Sequence, residues 1–262
     1  MFRRLTASDH DRVVAYLAKR PALHTFLTGD IERYGYDAPF QEVYGHLSNG
    51  HVTAVLLRFY GSYIFSTEGP DGVEEVVRLL QSNTAWTLIQ GDSVSLSLLQ
   101  DIGGFEPRQV REFAFAERPV RAPRIPVDTS GVFQATVDHV GQLWQLRKSI
   151  AEFANSSTTE LSLRQSFESG DTLCFYIPGE RGEMAASASV VAENQWTAMV
   201  VGVCTRPLYR GHGYATRCVA KLCDVFDERG KTLCLYYDNP NAGGIYRRLG
   251  FAVISGWTQF FR

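Results

Sequence analysis

The stretch from Trp196 to Ala215 constrains the fold more than any other part of the chain. An apolar run, Trp196-Thr197-Ala198-Met199-Val200-Val201-Gly202-Val203-Cys204-Thr205, meets a turn at Arg206-Pro207 and then Arg210-Gly211-His212-Gly213-Tyr214-Ala215, where a helix begins. Proline ends the strand because it has no N–H to give and restricts the residue before it. Glycine admits backbone conformations closed to other residues. A helix starting here presents N–H groups without intrahelical partners and a positive partial charge, so the order is strand, tight turn, anion-receptive helix start. Two other phosphate-binding patterns are excluded. A Walker loop needs Lys and then Ser or Thr after its last glycine, and a dinucleotide-binding Gly-x-Gly-x-x-Gly follows a first strand with an acid further on; neither arrangement is present.

The elements around this junction form a coherent series. Apolar positions at Val140, Leu143, Trp144, Leu146 and Ile150 predict a helix from about Val137 to Phe153. Short apolar runs predict strands at 173–177, 184–192 and 196–205, joined by turns too short for anything but an antiparallel meander. A helix over 213–229, a strand over 232–237, a short helix near 243–249 and closing strands around 251–254 and 257–261 complete a mixed α/β domain.

The first half follows a similar order. Strands at 41–47, 52–59 and 63–66 lead to a helix over 72–80, a strand over 86–90, a helix over about 94–102, Gly103-Gly104-Phe105, and an aromatic strand ending in Phe113 and Phe115. The second half shows the matching Leu249-Gly250-Phe251 and a closing Phe260-Phe261, which points to a duplicated fold. Glycine after a helix is also ordinary capping chemistry, so two unrelated layouts sharing that turn are the alternative. Pro119, Pro123 and Pro126, interleaved with Arg121 and Arg124, cannot continue a sheet or helix and predict a linker. The expected domains are therefore 1–118, a linker over 119–130, and 131–262.

With 45 % hydrophobic residues among 262, the chain can fill a sizeable core. A net charge of -2 gives no general attraction to a polyanion, so nucleic acid is not an expected partner. No apolar run approaches the roughly 18 residues of a membrane span, and a protein kept in the cytoplasm is expected. Five cysteines, an odd number with no Cys-x-x-Cys pair, suit neither a disulfide framework nor a metal site. They read as small buried hydrophobes.

Arg210-x-x-Gly213-x-Ala215 resembles the signature of the GNAT N-acetyltransferase superfamily: Gln or Arg, two residues, Gly, one residue, then Gly or Ala. Downstream, Asn239-Pro240-Asn241-Ala242-Gly243-Gly244-Ile245-Tyr246-Arg247-Arg248-Leu249-Gly250-Phe251 is similar to that family's later motif, with an Asn, an Ala three residues on, a Tyr seven residues on and a closing Gly-Phe. The resemblance covers about 132–262. Extended to the whole chain, it implies two GNAT-like domains, each a mixed, mostly antiparallel sheet flanked by helices, as in bacterial acetyltransferases with a degenerate domain ahead of a working one.

What the resemblance implies is direct transfer of an acetyl group from acetyl-CoA, a co-substrate, to a primary amine of a small molecule or amino acid, with no metal. Val203, Cys204 and Thr205 would hydrogen-bond the pantetheine arm beside a strand bulge. Backbone N–H groups from Gly211, His212, Gly213, Tyr214, Ala215 and Thr216, with Arg210, would take the pyrophosphate. Tyr246 matches the position that donates a proton to the coenzyme A sulfur, or is simply a packed aromatic. Asn239 would bind the pantetheine or orient a water, or only terminate its strand. No Asp or Glu lies within 196–205, where some members place the general base. Glu152 and Glu193 are the candidates, each also readable as a solvated carboxylate.

Arg147, Glu152, Phe153 and Asn155 would line the acceptor side; their mixed character does not name the acceptor. In the first half, Glu68-Gly69-Pro70-Asp71-Gly72 stands in place of the phosphate loop, and Gln100 or Leu99 in place of Tyr246. Two carboxylates there should repel a pyrophosphate. This half is left to shape the acceptor pocket or to form an interface, a homodimer being one such assembly. A non-catalytic acyl-CoA sensor is the alternative function.

Overall fold

The computed structural model describes residues 1–102, 105–153 and 158–262, so Gly103, Gly104 and Asn155 lie outside the described residues. The chain divides into two compact units, and neither is contiguous. One comprises 1–116 with 236–238 and 253–262, the other 117–235 with 239–252.

Both halves run through the same order of elements. The first has β1 (Phe2–Arg4), α1 (His10–Leu17), α2 (Thr25–Tyr34), β2 (Gln41–Ser48), β3 (His51–Phe59), β4 (Ser62–Thr67), α3 (Val73–Ser82), β5 (Leu88–Asp92), α4 (Ser93–Asp101) and β6 (Gln109–Arg118). The second repeats it with β7 (Phe133–Gln134), α5 (Val140–Lys148), α6 (Glu160–Glu168), β8 (Leu173–Pro178), β9 (Met184–Val191), β10 (Thr197–Thr205), α7 (Tyr214–Arg229), β11 (Thr232–Tyr237), α8 (Pro240–Arg248) and β12 (Ala252–Phe261). Pairing repeats as well. β1 to β4 form an antiparallel run and β4 pairs β5 parallel; β7 to β10 form an antiparallel run and β10 pairs β11 parallel. Such a mixed, mostly antiparallel sheet with helices is the expected fold.

The units depart from a simple cut at the linker at 236–238 and, more extensively, at the last strand. Residues 253–262 follow the second half in sequence but belong to the first unit, where the strand order is β1-β2-β3-β4-β5-β12-β6. β12 pairs β5 antiparallel with Trp257 opposite Asp92 and Phe260 opposite Ile89. The reason is packing. The Trp257 ring, 1 % exposed, lies within 5.9 Å of Tyr236 and 5.3 Å of Phe115, and Phe260 joins the core of Trp86, Ile89, Leu96, Leu99 and Phe105.

A buried polar cluster crosses the same unit. Ser66 stands 2.8 Å from both the Tyr16 hydroxyl and His24 Nε2, and His24 Nδ1 stands 2.9 Å from the Leu17 carbonyl. A ring nitrogen facing a carbonyl must carry the proton, so Nε2 accepts from Ser66. Burial drives the His24 imidazole down to about 4, so it stays neutral.

The proline-rich segment lacks regular structure but is anchored. Arg118, 1 % exposed, donates to both carboxylate oxygens of Asp227 on α7 at 2.7 and 2.9 Å, and the Arg121 N–H donates to the same carboxylate at 2.5 Å. Arg124 donates to the Ala220 carbonyl at 3.1 Å and pairs with Asp224. The arginines that interrupt the prolines thus fasten the segment along α7, a role the alternation of Pro and Arg does not announce.

Candidate active site

β10 and β11 pair over Thr197–Met199 and Thr232–Cys234, and the recorded register goes no further. On its other edge β10 stays with β9, but the register shifts between Val201 and Cys204. Gly202 sits in that shift at φ 63°, a left-handed value that favours glycine. The expected bulge is therefore built on Gly202, beside Val203, Cys204 and Thr205. Cys204 is buried with its sulfur 3.6 Å from Ser187 Oγ, while Val203 and Thr205 are half-buried. Burial raises the Cys204 thiol pKa. All five cysteines are buried, and none is in a disulfide.

After β10 a single turn, Pro207–Tyr209, leads into the glycine loop. Gly211 and Gly213 take φ values of 85° and 73°, and a Cβ added at either would meet nothing within 4 Å. Conformation, not crowding, calls for glycine there. The first recorded bond into α7 runs from the Arg217 N–H to the Gly213 carbonyl at 3.0 Å. Among the described residues, no acceptor faces the backbone N–H groups of Gly211, His212, Gly213, Tyr214, Ala215 or Thr216. They stand at the positive end of a 16-residue helix whose opposite side buries Cys218, Val219, Leu222, Cys223 and Phe226.

Side chains hold the loop open from outside. Tyr209 donates its hydroxyl to Glu183 at 2.6 Å and stacks on Tyr214 with centroids 6.3 Å apart. That hydrogen bond lowers the Glu183 carboxyl pKa. His212 turns Nδ1 to the Arg210 carbonyl at 3.0 Å, which makes it a loop side chain. Arg217 donates to the carbonyls of Asp128 and Ser130. Arg210 donates Nε to the Thr205 carbonyl at 3.3 Å and places a guanidinium nitrogen 3.6 Å from Glu152.

Thr205, Arg210 and Glu152 are thus brought together. Glu193 is not with them: it lies in the β9–β10 turn, at the far end of β10 from the bulge, and its two oxygens receive Arg229 at 2.5 Å and Lys231 at 2.8 Å. Asn239 is exposed and caps α8, its side chain accepting from the Asn241 N–H at 2.9 Å. Tyr246, on the same helix, is buried with its ring edge-on to Phe251 at 5.9 Å.

The counterpart of the loop in the first half has a different character. Gly72 caps α3 at φ 83°, but Glu74 and Glu75 follow in the first turn and Glu68 pairs with Lys19 at 2.6 Å.

Among the residues expected on the acceptor side, Arg147 stands out. Arg147 on α5 lies against Gly202: a Cβ there would fall 2.5 Å from one guanidinium nitrogen and 3.0 Å from its carbon. Only the fold brings 147 to 202.

Among the described residues, no group of three or more His, Cys, Asp or Glu side chains could hold a metal, and no helix is long and apolar enough to cross a membrane.

Residues 141–251 match the model of the acetyltransferase (GNAT) family. No curated protein matches the chain. Solved structures share its fold along the whole length. A tandem GNAT protein from the clavulanic acid biosynthesis pathway superposes with a TM-score of 0.63 at 14 % identity, covering 100 % of this chain and 98 % of that one. A GCN5-related N-acetyltransferase from Sphaerobacter thermophilus gives 0.64 at 18 % identity, covering 100 % and 95 %. A Drosophila protein gives 0.72 at 13 % identity, covering 99 % and 98 %. Over 141–251, with the bulged strand, the glycine loop and α8, the chain carries a domain of the GNAT acetyltransferase family, within a polypeptide whose whole length shares the fold of that tandem GNAT protein.

Proposed function

We propose that the second unit is an N-acetyltransferase that moves an acetyl group directly from acetyl-CoA to a primary amine of a small molecule or amino acid. The observation that carries this reading is the row of backbone N–H groups from Gly211 to Thr216 without acceptors, at the start of a long helix directly after a bulged strand. Those donors and the helix charge suit a pyrophosphate. The edge of β10 beyond Met199, free of β11 in the recorded register, suits the amides of a pantetheine arm at Val203, Cys204 and Thr205.

When bound, acetyl-CoA supplies the activated acetyl group. The chain's own residues do the rest. The loop and Arg210 fix the phosphates, and β10 fixes the arm, so that proximity lowers the barrier by several kcal/mol. Tyr246 holds a proton for the departing thiolate; a phenol, ordinarily near 10, keeps its proton at neutral pH. Asn239 caps the helix that carries Tyr246 and so orients it. Glu152, beside Arg210, serves as the base that relieves the amine of a proton. Glu193, with both oxygens occupied, is the poorer candidate.

A sensor of acyl-CoA without catalysis draws support from the same carboxylates, since neither Glu152 nor Glu193 is without a cationic partner. Tyr246→Phe separates the two readings. For an enzyme it leaves acetyl-CoA binding intact and cuts thiol release by about 10²-fold or more. Thermal stabilisation by acetyl-CoA but not by ATP checks the ligand. Absence of thiol release from the native protein with any amine would overturn the enzyme reading.

A further inference from the structure

The Arg147 guanidinium is held at the bulge without a counter-charge. Its Nε is buried and has no hydrogen-bond partner, and its one recorded bond is to a neutral hydroxyl, Ser189 Oγ, at 3.2 Å. Among the described residues, no carboxylate lies within ion-pair distance of it. Other arginines drawn into the protein are matched: Arg118 by Asp227 at 2.7 Å and Arg58 by Glu42 at 2.8 Å. Withdrawing a cation from water is unfavourable unless it is paired. Nothing in the packing of α5 requires one here, because its buried residues are Val140, Leu143 and Leu146.

The surroundings keep that place for the charge. Gly202 leaves room for the guanidinium, and a side chain there would strike it. Ser187 and Ser189 below it are fully buried and neutral, so they neither match nor cancel the charge. The location is next to Val203, the first of the residues assigned above to the pantetheine arm.

We propose that Arg147 binds the carboxylate of the acceptor, and that the acceptor class is therefore an amino acid, an amine that carries a carboxylate. A guanidinium fork matches a carboxylate with two parallel N–H donors, and the two terminal nitrogens, whose only recorded bond is to the Ser189 hydroxyl, form one such pair. The inference rests on the proposed acetyltransferase function and narrows its substrate.

The test is thiol release from acetyl-CoA with matched acceptors: glycine, β-alanine, γ-aminobutyrate and glutamate, each against the corresponding amide. The native protein should use at least one acid about a hundredfold better, in kcat/KM, than its amide. Arg147→Gln should remove that preference through KM, with acetyl-CoA affinity and activity toward the amides within about threefold of native, and Arg147→Lys should restore part of it. Amides used as well as acids by the native protein would overturn the proposal while leaving the acetyltransferase reading standing. So would an Arg147→Gln protein that loses both classes equally, or one in which only acetyl-CoA affinity falls. Release with neither class would overturn both. The native comparison needs no variant, so a misfolded Arg147→Gln protein cannot obscure the result.

Discussion

Arg210, the cation of the glycine loop, faces Glu152 at 3.6 Å, so the group assigned to phosphate and the carboxylate assigned to the amine are each other's partners. Both side chains are more than half exposed, which limits the pair to about 1 kcal/mol at most. Glu152→Gln should therefore change the acetyl-CoA Kd by no more than about threefold, toward tighter binding, while kcat falls about 10²-fold or more if Glu152 is the base. Calorimetric titration and a thiol-release assay on the same variant check the two halves. A Kd change well beyond threefold would mean that Glu152 touches the ligand site by another route.

Trp257 packs on Tyr236 and Phe115 in the first unit although it follows the second half in sequence. Truncating so large a buried ring costs about 3–5 kcal/mol. Trp257→Ala should lower the unfolding free energy read from urea titration by that amount and expose amides of β5 and α4 to hydrogen exchange before those of β8 and β9. Equal loss of protection in β8 and β9 would contradict this assignment.

His24 gives stability a definite dependence on pH. Its folded pKa of about 4 lies below the ordinary 6.5, so protons bind the unfolded chain more readily. The contribution is complete above 6.5 and is lost as pH falls toward 4. Burial is the largest cause and Arg20 adds to it, while the Leu17 hydrogen bond, Asp92 and Glu68 oppose. Between pH 7.5 and 5.5 the loss should be about 1 kcal/mol, read from denaturant midpoints. The same comparison on His24→Gln should lack that increment, since carboxylates common to both proteins cancel.

Much of the fold was legible because its elements repeat a strong hydrophobic pattern. α7 buries Cys218, Val219, Leu222, Cys223 and Phe226 along one face, and β8, β9 and β10 are short apolar runs separated by turns. α6 was missed because Leu163 is its one buried residue, which leaves no stripe to read. The expected long helix over 137–153 is instead α5 between two single turns, Val137–His139 and Ala151–Phe153. The place of β12 beside β5 could not be read at all, since Trp257 and Phe260 would suit a buried strand in either unit. At the site, the glycines of the loop spoke for themselves through the conformation they permit. Asn239 caps α8, which the sequence alone does not distinguish from a strand end or a ligand. The sequence puts Arg147 on the acceptor side without a partner; its neighbour at 202 depends on a strand register that sequence spacing does not set.

The position of β12 between β5 and β6 also bears on the order in which the molecule can be completed. A nascent polypeptide emerging from the ribosome would offer β5 with one edge open and the Phe115 ring without its Trp257 neighbour until residues 253–261 had been translated. The half that is made first is therefore the half that closes last, and a chaperone protecting this chain would meet its exposed surface there, near β5, throughout synthesis of the second half.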